Sequence, residues 1–425
     1  MPMRKRGFLG KSKQVREWRG ARALRHTRRF QRCTQKLPKK AVSAWKPSSK
    51  SSPMHISPTN VTIDPAALVH NLQQIRLLVG RSCKIMGVVK SDAYGHGLVP
   101  ASRTLEQCRI DCLGVGDLEE ALELRKRGIH TPVVILAGIS TGEACDDLVE
   151  NELIPVVFDL SAAEGLNRMA RKRNKRATVY LKVDTGMGRL GILPGELGNF
   201  LNRVSTMKNL FLQGLMSHLS SADESDRDFT VKQIRRFTHA VEEGRSRGFP
   251  LPTNHLANSA GIMRFQDSHF EMVRPGIMLY GGLPNPGFQT RIRLKPAMRF
   301  ACGVLQLKTL PANSPVGYGR TYQTVGPRTV AVLSAGYGNG LPRTISNRGN
   351  VLIRGVRAPI LGRISMNLTV CDVTGIEHIK PGDEAVFLGE QDGDRISADE
   401  LAGSAGTISY EVFCSLGRSN RRNYP

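Results

Sequence analysis

From residue 60 to about 285, short runs rich in Val, Ile and Leu alternate with amphipathic stretches of ten to fifteen residues. Such spacing suits parallel strands joined by helical crossovers and suits little else, because two parallel neighbours cannot be linked by a tight turn. Eight candidate strands are legible: KIMGVV (84–89), CLGVG (112–116), PVVILA (132–137), LIPVVF (153–158), TVYLKV (178–183), LFLQGLM (210–216), NHLA (254–257) and GIMLYG (276–281). Between them lie helical patterns such as LEEALELRKRG (118–128), where Leu118, Ala121, Leu122 and Leu124 share a face and Gly128 offers a C-terminal cap. Eight units in this span suggest a closed (β/α)8 barrel of the TIM type. An open doubly wound sheet is the alternative, but no GxGxxG follows a first strand to support a dinucleotide site.

In a barrel of this kind the chemistry gathers at the carboxyl ends of the strands. KIMGVV runs into Lys90-Ser91-Asp92-Ala93-Tyr94-Gly95-His96-Gly97, and TVYLKV into Asp184-Thr185-Gly186-Met187-Gly188-Arg189. LFLQGLM is followed by Ser217-His218, NHLA by Asn258-Ser259, and EMV by Arg274-Pro275-Gly276. A single strand-end lysine or histidine is commonly a solvated or paired structural residue. Five such endings on one rim supply an amine nucleophile, an imidazole, two guanidiniums, a hydroxyl and glycine-flanked amides, a set suited to a phosphate-bearing carbonyl cofactor.

After residue 296 the pattern changes to short alternating strands with frequent Gly and Pro: RFACGVLQLKTL, RTVAVLSAGYG, NVLIRGVRAPILGRISMNLTVCDV and DEAVFLG. This suggests a compact β domain, a small barrel or Greek key. The expected division is a basic extension at 1–54, a cofactor-binding barrel at 55–290 and a β domain at 291–425.

Charge separates the extension from the rest. The chain carries +25, of which residues 1–55 hold 17 Lys or Arg against Glu17 alone, and residues 56–425 keep +9. The first 54 residues have few aliphatic positions and end in Ser, Pro and Lys, a composition expected to remain disordered. Three readings stand for it: a dispensable extension with Met54 as the true start, a targeting segment, or an arm that binds a polyanion in a salt-dependent way. Nucleic acid is therefore expected as a partner only through this tail. Eight cysteines without CxxC pairs argue against a disulfide scaffold or a zinc ribbon and for a reduced, cytoplasmic setting. No apolar run approaches the ~18 residues a membrane helix needs, and no metal site is expected.

VVKSDAYGHG, LKVDTGMGRLG, HLANSAG, VRPGIMLYG, VGYGRTY, APILGRISMN and TISYEV, in that order, resemble the alanine racemases, from about residue 56 to 422. The resemblance implies a fold-type III pyridoxal 5′-phosphate enzyme: an N-terminal barrel, a C-terminal β domain, and a head-to-tail homodimer with each active site shared between subunits. It implies that Lys90 holds the cofactor covalently, and that Tyr94, Ser259, Gly276, Ile277 and Tyr410 bind its phosphate. His218 corresponds to a residue packed on the pyridine ring, and Arg274 to an arginine facing the ring nitrogen. A permanent cation there disfavours protonating the ring, which limits charge delocalisation into it and suppresses transamination. Arg189 corresponds to an arginine near the substrate carboxylate. Lys182 corresponds to a lysine often carbamylated, an anion suited to pairing with Arg189. Tyr318 corresponds to a second base donated by the partner subunit. Racemisation removes a proton from one face of Cα and returns one to the other, so two groups on opposite sides are the economical arrangement, with Lys90 expected on the D-face and Tyr318 on the L-face. Tyr337 and Arg363 correspond to residues lining the mouth of the site, and Met366 to one whose backbone helps hold the substrate carboxylate.

Two positions depart from the family pattern. GYADG is here Gly-Tyr-Gly-Asn-Gly, with Asn339, and the acid after Met366 is Asn367. The loss of two negative charges near the mouth either shifts substrate choice or only changes local pairing. The expected activity is interconversion of L- and D-alanine to supply D-alanine for peptidoglycan. A broad-specificity or serine racemase on the same scaffold is the nearest alternative, and a non-catalytic cofactor-binding protein the more distant one. Related barrel-plus-β decarboxylases lack support, because the VGYGRTY tyrosine and the AYGHG block favour racemisation.

Overall fold

The computed structural model describes residues 59–139, 144–285, 288 and 292–425. The expectations for the basic extension lie outside these residues.

The first strand, β1 (Asn60–Ile63), is followed by a helix, Pro65–Val79, that starts on an Asp64 cap accepting from Ala66 N at 2.8 Å, with proline at its first position. Then come β2 (Lys84–Val88), β3 (Cys112–Val115), β4 (Val133–Ile135), β5 (Ile154–Val157), β6 (Ala177–Lys182), β7 (Leu210–Met216) and β8 (Met272–Val273). These seven form one parallel sheet in the order β7-β6-β5-β4-β3-β2-β8. Residues 254–257 close it. His255 bridges Met216 in parallel, with His255 N on Leu215 O at 3.1 Å, while Met272 N reaches Asn254 O at 3.2 Å and Arg274 N reaches Ala257 O at 3.0 Å. Gly214 permits this approach, since a Cβ there would collide with the Thr253 carbonyl. Met86, Cys112, Val134, Val156, Tyr180, Met216 and Met272, one from each of the seven strands, plug the interior, so the barrel is a packed core rather than a pore.

Two expected strands are not strands, and of these NHLA (254–257) holds only the isolated bridge at His255. GIMLYG (276–281) contains instead a single 3-10 turn, Ile277–Tyr280, and the eighth stave is the short β8 just before it. Pro275 has no N–H for a ladder, and Gly276 at φ −115°, ψ −93° leaves the extended region. Ile277, Met278, Leu279 and Tyr280 are all fully buried, so the apolar run recorded burial and not strand geometry.

The β domain is organised on β9 (Met298–Leu310), which pairs antiparallel with Arg328–Leu333 and with Glu384–Gln391; the latter pairs with Asn350–Ile353, which forms a hairpin with Val356–Pro359. β1 also pairs with β9, and Arg422–Asn423 lies parallel to β1, so both ends of the described chain enter this sheet. The seven described cysteines form no disulfide with one another, and no helix of the described residues is long and apolar enough to cross a membrane.

Candidate active site

Lys90 follows β2 at the carboxyl end of the barrel and opens a turn of the wrong hand. Ser91, Asp92, Ala93 and Tyr94 have φ of 55°, 58°, 53° and 55°. For residues with a Cβ this conformation costs roughly 1–2 kcal/mol each, so it survives only where the surroundings over-determine it. Here Ala93 N donates to Val89 O at 2.8 Å, Asp92 N to Glu120 Oε1 at 2.9 Å, and Leu98 N to Asp92 Oδ1 at 2.7 Å. Glu120 also accepts from Gly116 N at 2.8 Å, which ties the turn to the end of β3. The Lys90 side chain stays accessible at the mouth. Yet the surrounding protein removes enough water, and Arg189 and Arg274 stand close enough, to hold its ammonium below the ordinary lysine range.

Arg274 is 4 % exposed and fans across the ends of three staves. It donates to Ser217 O at 2.7 Å, His255 O at 2.9 Å, Leu256 O at 3.1 Å and His255 Nδ1 at 2.8 Å, and it approaches His218 Nδ1 at 3.3 Å. Burial without a carboxylate partner lowers its pKa to about 10, leaving it cationic at neutral pH. Burial and that cation keep His218 and His255 well below the ordinary imidazole range. Both are neutral, with Nδ1 free to accept from Arg274.

Lys182 ends β6, 6 % exposed, and burial followed by Arg274, Arg189 and Lys90 pulls its pKa down to about 8. The next turn is organised by one carboxylate. Asp184 Oδ1 accepts from Gly186 N at 2.9 Å, Met187 N at 2.7 Å and Gly188 N at 3.2 Å, and Oδ2 accepts from Arg189 N at 3.0 Å. Partial burial pushes this carboxyl up, but the four donors outweigh it and hold the pKa below the usual range. Its contribution is therefore present at neutral pH and lost as the pH falls through that lowered value. Asp184→Ala is expected to lower unfolding free energy by about 1–3 kcal/mol at pH 7 and by progressively less under acid, as measured by urea denaturation at several pH values.

A second group of polar atoms lies beside Lys90. Tyr94 and Tyr410 pack with ring centroids 5.7 Å apart, and burial raises both hydroxyls above the ordinary phenol range, so they remain O–H donors. Ser259 begins a short helix after the Asn258 cap, and Gly276 N donates to its Oγ at 3.1 Å. A Cβ on Gly276 would collide with the Tyr94 hydroxyl, and Ile277 follows fully buried. Lys90, Lys182, Arg189 and Arg274 form no salt bridge among the described residues. Unpaired cations, hydroxyl donors and an accessible amine of lowered basicity fit an anionic carbonyl cofactor, pyridoxal phosphate included. The described residues contain no His, Cys, Asp or Glu cluster suited to a metal.

Tyr318, Tyr337, Arg363 and Met366 are elsewhere, together on the β domain. Gly317 and Gly319 back onto Arg363, while Tyr337 N donates to Ser365 O at 3.1 Å and Gly338 N to Met366 O at 2.7 Å. Tyr318 is 66 % exposed and Met366 58 %. Asn339, one of the two departures, closes its own turn: its Oδ1 accepts from Gly336 N at 3.1 Å and its Nδ2 donates to Thr59 Oγ1 at 3.1 Å. An aspartate could make the first bond, and the second only with the Thr59 hydroxyl donating instead of accepting. Asn367 is exposed.

Sequence reasoning passed over His255, Asp184 and Asp92 as working parts of this site. His255 stood inside the HLANSAG block, and its register against Arg274 exists only once residues 254–257 close the barrel. Asp184 did carry a local signal, an acid followed by a glycine-rich turn.

The sequence patterns of the alanine racemase N-terminal and C-terminal domains match residues 63–284 and 297–424. The chain is 43 % identical over 364 residues to the alanine racemase of Syntrophobacter fumaroxidans, covering 86 % of this chain and 96 % of the relative. It is 40 % identical over 367 residues to that of Halothermothrix orenii, covering 86 % and 97 %. Among solved structures, alanine racemase from Streptomyces lavendulae superposes with a TM-score of 0.82 at 31 % identity, over 88 % of this chain and 98 % of that one. The alanine racemase from Bartonella henselae, with covalently bound pyridoxal phosphate, gives 0.79 at 29 % identity, over 87 % and 100 %.

Proposed function

The chain belongs to the alanine racemase family, and on that premise we propose how its own residues divide the work of interconverting L- and D-alanine. Bound pyridoxal phosphate supplies an electron sink that makes the Cα proton of an attached amino acid removable. The observation that carries the assignment is Lys90, an accessible amine held below the ordinary lysine range by burial and by Arg189 and Arg274. A larger neutral fraction makes it both a nucleophile toward the carbonyl and a proton acceptor on the D-face. Tyr94, Ser259 and Tyr410 hydroxyls and the amides of Gly276 and Ile277 take the phosphate. His218 would support the bound ring, and Arg274, cationic and buried, would disfavour protonating the ring nitrogen, which favours return of the proton to Cα. Arg189, presented by the Asp184 turn, takes the substrate carboxylate with help from Met366. Lys182, whose lowered pKa leaves more free amine to react with carbon dioxide, becomes the anion that orients Arg189.

Tyr318 is the L-face base, and a second copy of the chain brings it to the site. The exposed group of Tyr318, Tyr337, Arg363 and Met366 supports a head-to-tail homodimer in which the β domain of one subunit covers the barrel mouth of the other. The enzyme works in the cytoplasm and feeds peptidoglycan precursors. The local pairing of Asn339 favours alanine over serine as the substrate, because both of its amide atoms are taken up by Gly336 N and Thr59 Oγ1.

Purified protein with pyridoxal phosphate, incubated with L-alanine and separately with L-serine in D2O, is expected to yield Cα-deuterated D-alanine, with alanine turned over about tenfold faster or more. Serine turned over faster than alanine would reassign the substrate. Bound cofactor with no deuterium in either amino acid would leave a binding protein and defeat the racemase assignment.

A further inference from the structure

The left-handed turn after Lys90 is gripped by the far end of the chain. Arg422 Nη1 donates to the Asp92 carboxylate and, at 3.1 Å, to Gly95 O, while the Tyr424 hydroxyl donates to His96 O at 3.0 Å. These contacts span 330, 327 and 328 residues of sequence. Arg422 itself is anchored, because its backbone pairs in parallel with Val61 on β1 and Asn423 Nδ2 donates to Asn60 Oδ1 at 2.6 Å. The preceding helix, Ser409–Ser419, presses on the same turn: a Cβ on Gly95 would collide with Phe413 O, one on Gly417 with Gly95 O, and one on Gly97 with the Tyr424 hydroxyl. His96 is sealed beneath, stacked on Tyr280 at 4.4 Å with Nδ1 on the carbonyls of Ala93 and Tyr94, both at 3.1 Å.

We propose that Arg422 and Tyr424 are positioning residues for Lys90: the carboxyl-terminal segment holds the strained turn in its left-handed form and thereby sets where the lysine amine sits. Asp92 is the hinge of this device, since one of its oxygens caps Leu98 N and the other meets Arg422. Without the guanidinium, the β-domain side loses its one charged contact with the turn and keeps only the Tyr424 hydroxyl and the packing of Ser409–Ser419, so Ser91–Tyr94 can relax toward ordinary backbone angles and carry Lys90 with them. The consequence is a loss in turnover larger than the loss in substrate affinity, because displacement of about 1 Å at a reacting group acts on the chemical step. The inference rests on the reading of Lys90 as the cofactor lysine.

Full-length wild type, Arg422→Gln, Arg422→Lys and Tyr424→Phe test it. Amide hydrogen exchange in the cofactor-free proteins is expected to accelerate about tenfold or more at residues 91–98 in Arg422→Gln, with the other barrel strands within about twofold. In the cofactor-loaded enzymes, Arg422→Gln should lower kcat by about 10–100-fold with KM changed less than about threefold, and Arg422→Lys should recover a substantial part of it. Tyr424→Phe should show the same pattern more weakly, having lost one neutral hydrogen bond. Unchanged exchange at 91–98, equal acceleration across the whole barrel, or wild-type kcat with an opened turn would each overturn the proposal. Borohydride reduction of the wild-type holoenzyme followed by peptide mapping separates the two failures. A pyridoxyl label on a residue other than Lys90 sinks the cofactor assignment. A label on Lys90 with wild-type behaviour in Arg422→Gln sinks the clamp alone.

Discussion

Lys90→Ala is expected to reduce racemisation by about a thousandfold or more while raising the thermal midpoint of the cofactor-free protein. The two effects share one cause. On the proposed assignment Lys90 would combine covalent attachment with proton removal, so truncation would delete both, whereas the hydroxyls of Tyr94, Ser259 and Tyr410 would still be there to hold phosphate. The stability effect follows from the sign of the lysine's displacement. A lysine whose folded-state pKa lies below its unfolded value prefers to be charged in the unfolded chain, so at neutral pH it works against folding. Removing it also relieves repulsion with Arg189 and Arg274. A rise of about 1–3 °C is expected by calorimetry in the absence of cofactor. Cα–H exchange of either alanine enantiomer in D2O at near wild-type rates would refute the catalytic role, and a fall in the midpoint would refute the electrostatic account of the site.

The second large effect is expected to be one-sided. Tyr318→Phe removes one oxygen from a side chain that is 66 % exposed in the single subunit, so folding should change little. Net racemisation in both directions should nevertheless fall by about 10²–10³-fold, the usual range for losing a general acid–base group. D-alanine should still exchange its Cα hydrogen with D2O through Lys90, and L-alanine should not. Equal exchange of both enantiomers would remove Tyr318 from the L-face. Mixing Tyr318→Phe with Lys90→Ala tests whether the site is shared. A head-to-tail dimer that exchanges subunits freely rebuilds one intact site in each mixed dimer, or about a quarter of wild-type activity. No recovery, with subunit exchange demonstrated by mass spectrometry, would place both bases in one chain.

What the chain declares locally and what it does not divide along a physical line. The staves from β2 to β7 were legible because each carries its own apolar run and is followed by its own amphipathic crossover, a pattern set by neighbours in sequence. Lys90, Arg189, His218, Ser259 and Arg274 were legible as a set because each follows an apolar strand-like run, and a parallel barrel places every strand's carboxyl end on one rim, whereas Lys182, inside its strand, was named only by the family resemblance. The run at 276–281 misled because four buried apolar residues look alike as a strand or a 3-10 turn, and only Pro275 and Gly276 hinted otherwise. The handedness of the turn after Lys90 had no local signal at all. Ser, Asp, Ala and Tyr do not ask for positive φ, and the turn exists because Glu120, Arg422, Tyr424 and the glycine-lined helix face converge on it. The same holds for the entry of β1 and Arg422–Asn423 into the β domain, and for His255 beneath Arg274. The sequence by itself determined the barrel, the β domain and the cationic rim, since those follow from periodicity and from what stands at strand ends. The tertiary structure alone decided how the lysine is aimed, because that depends on hydrogen bonds and backbone contacts between segments more than 300 residues apart, for which no local pattern codes.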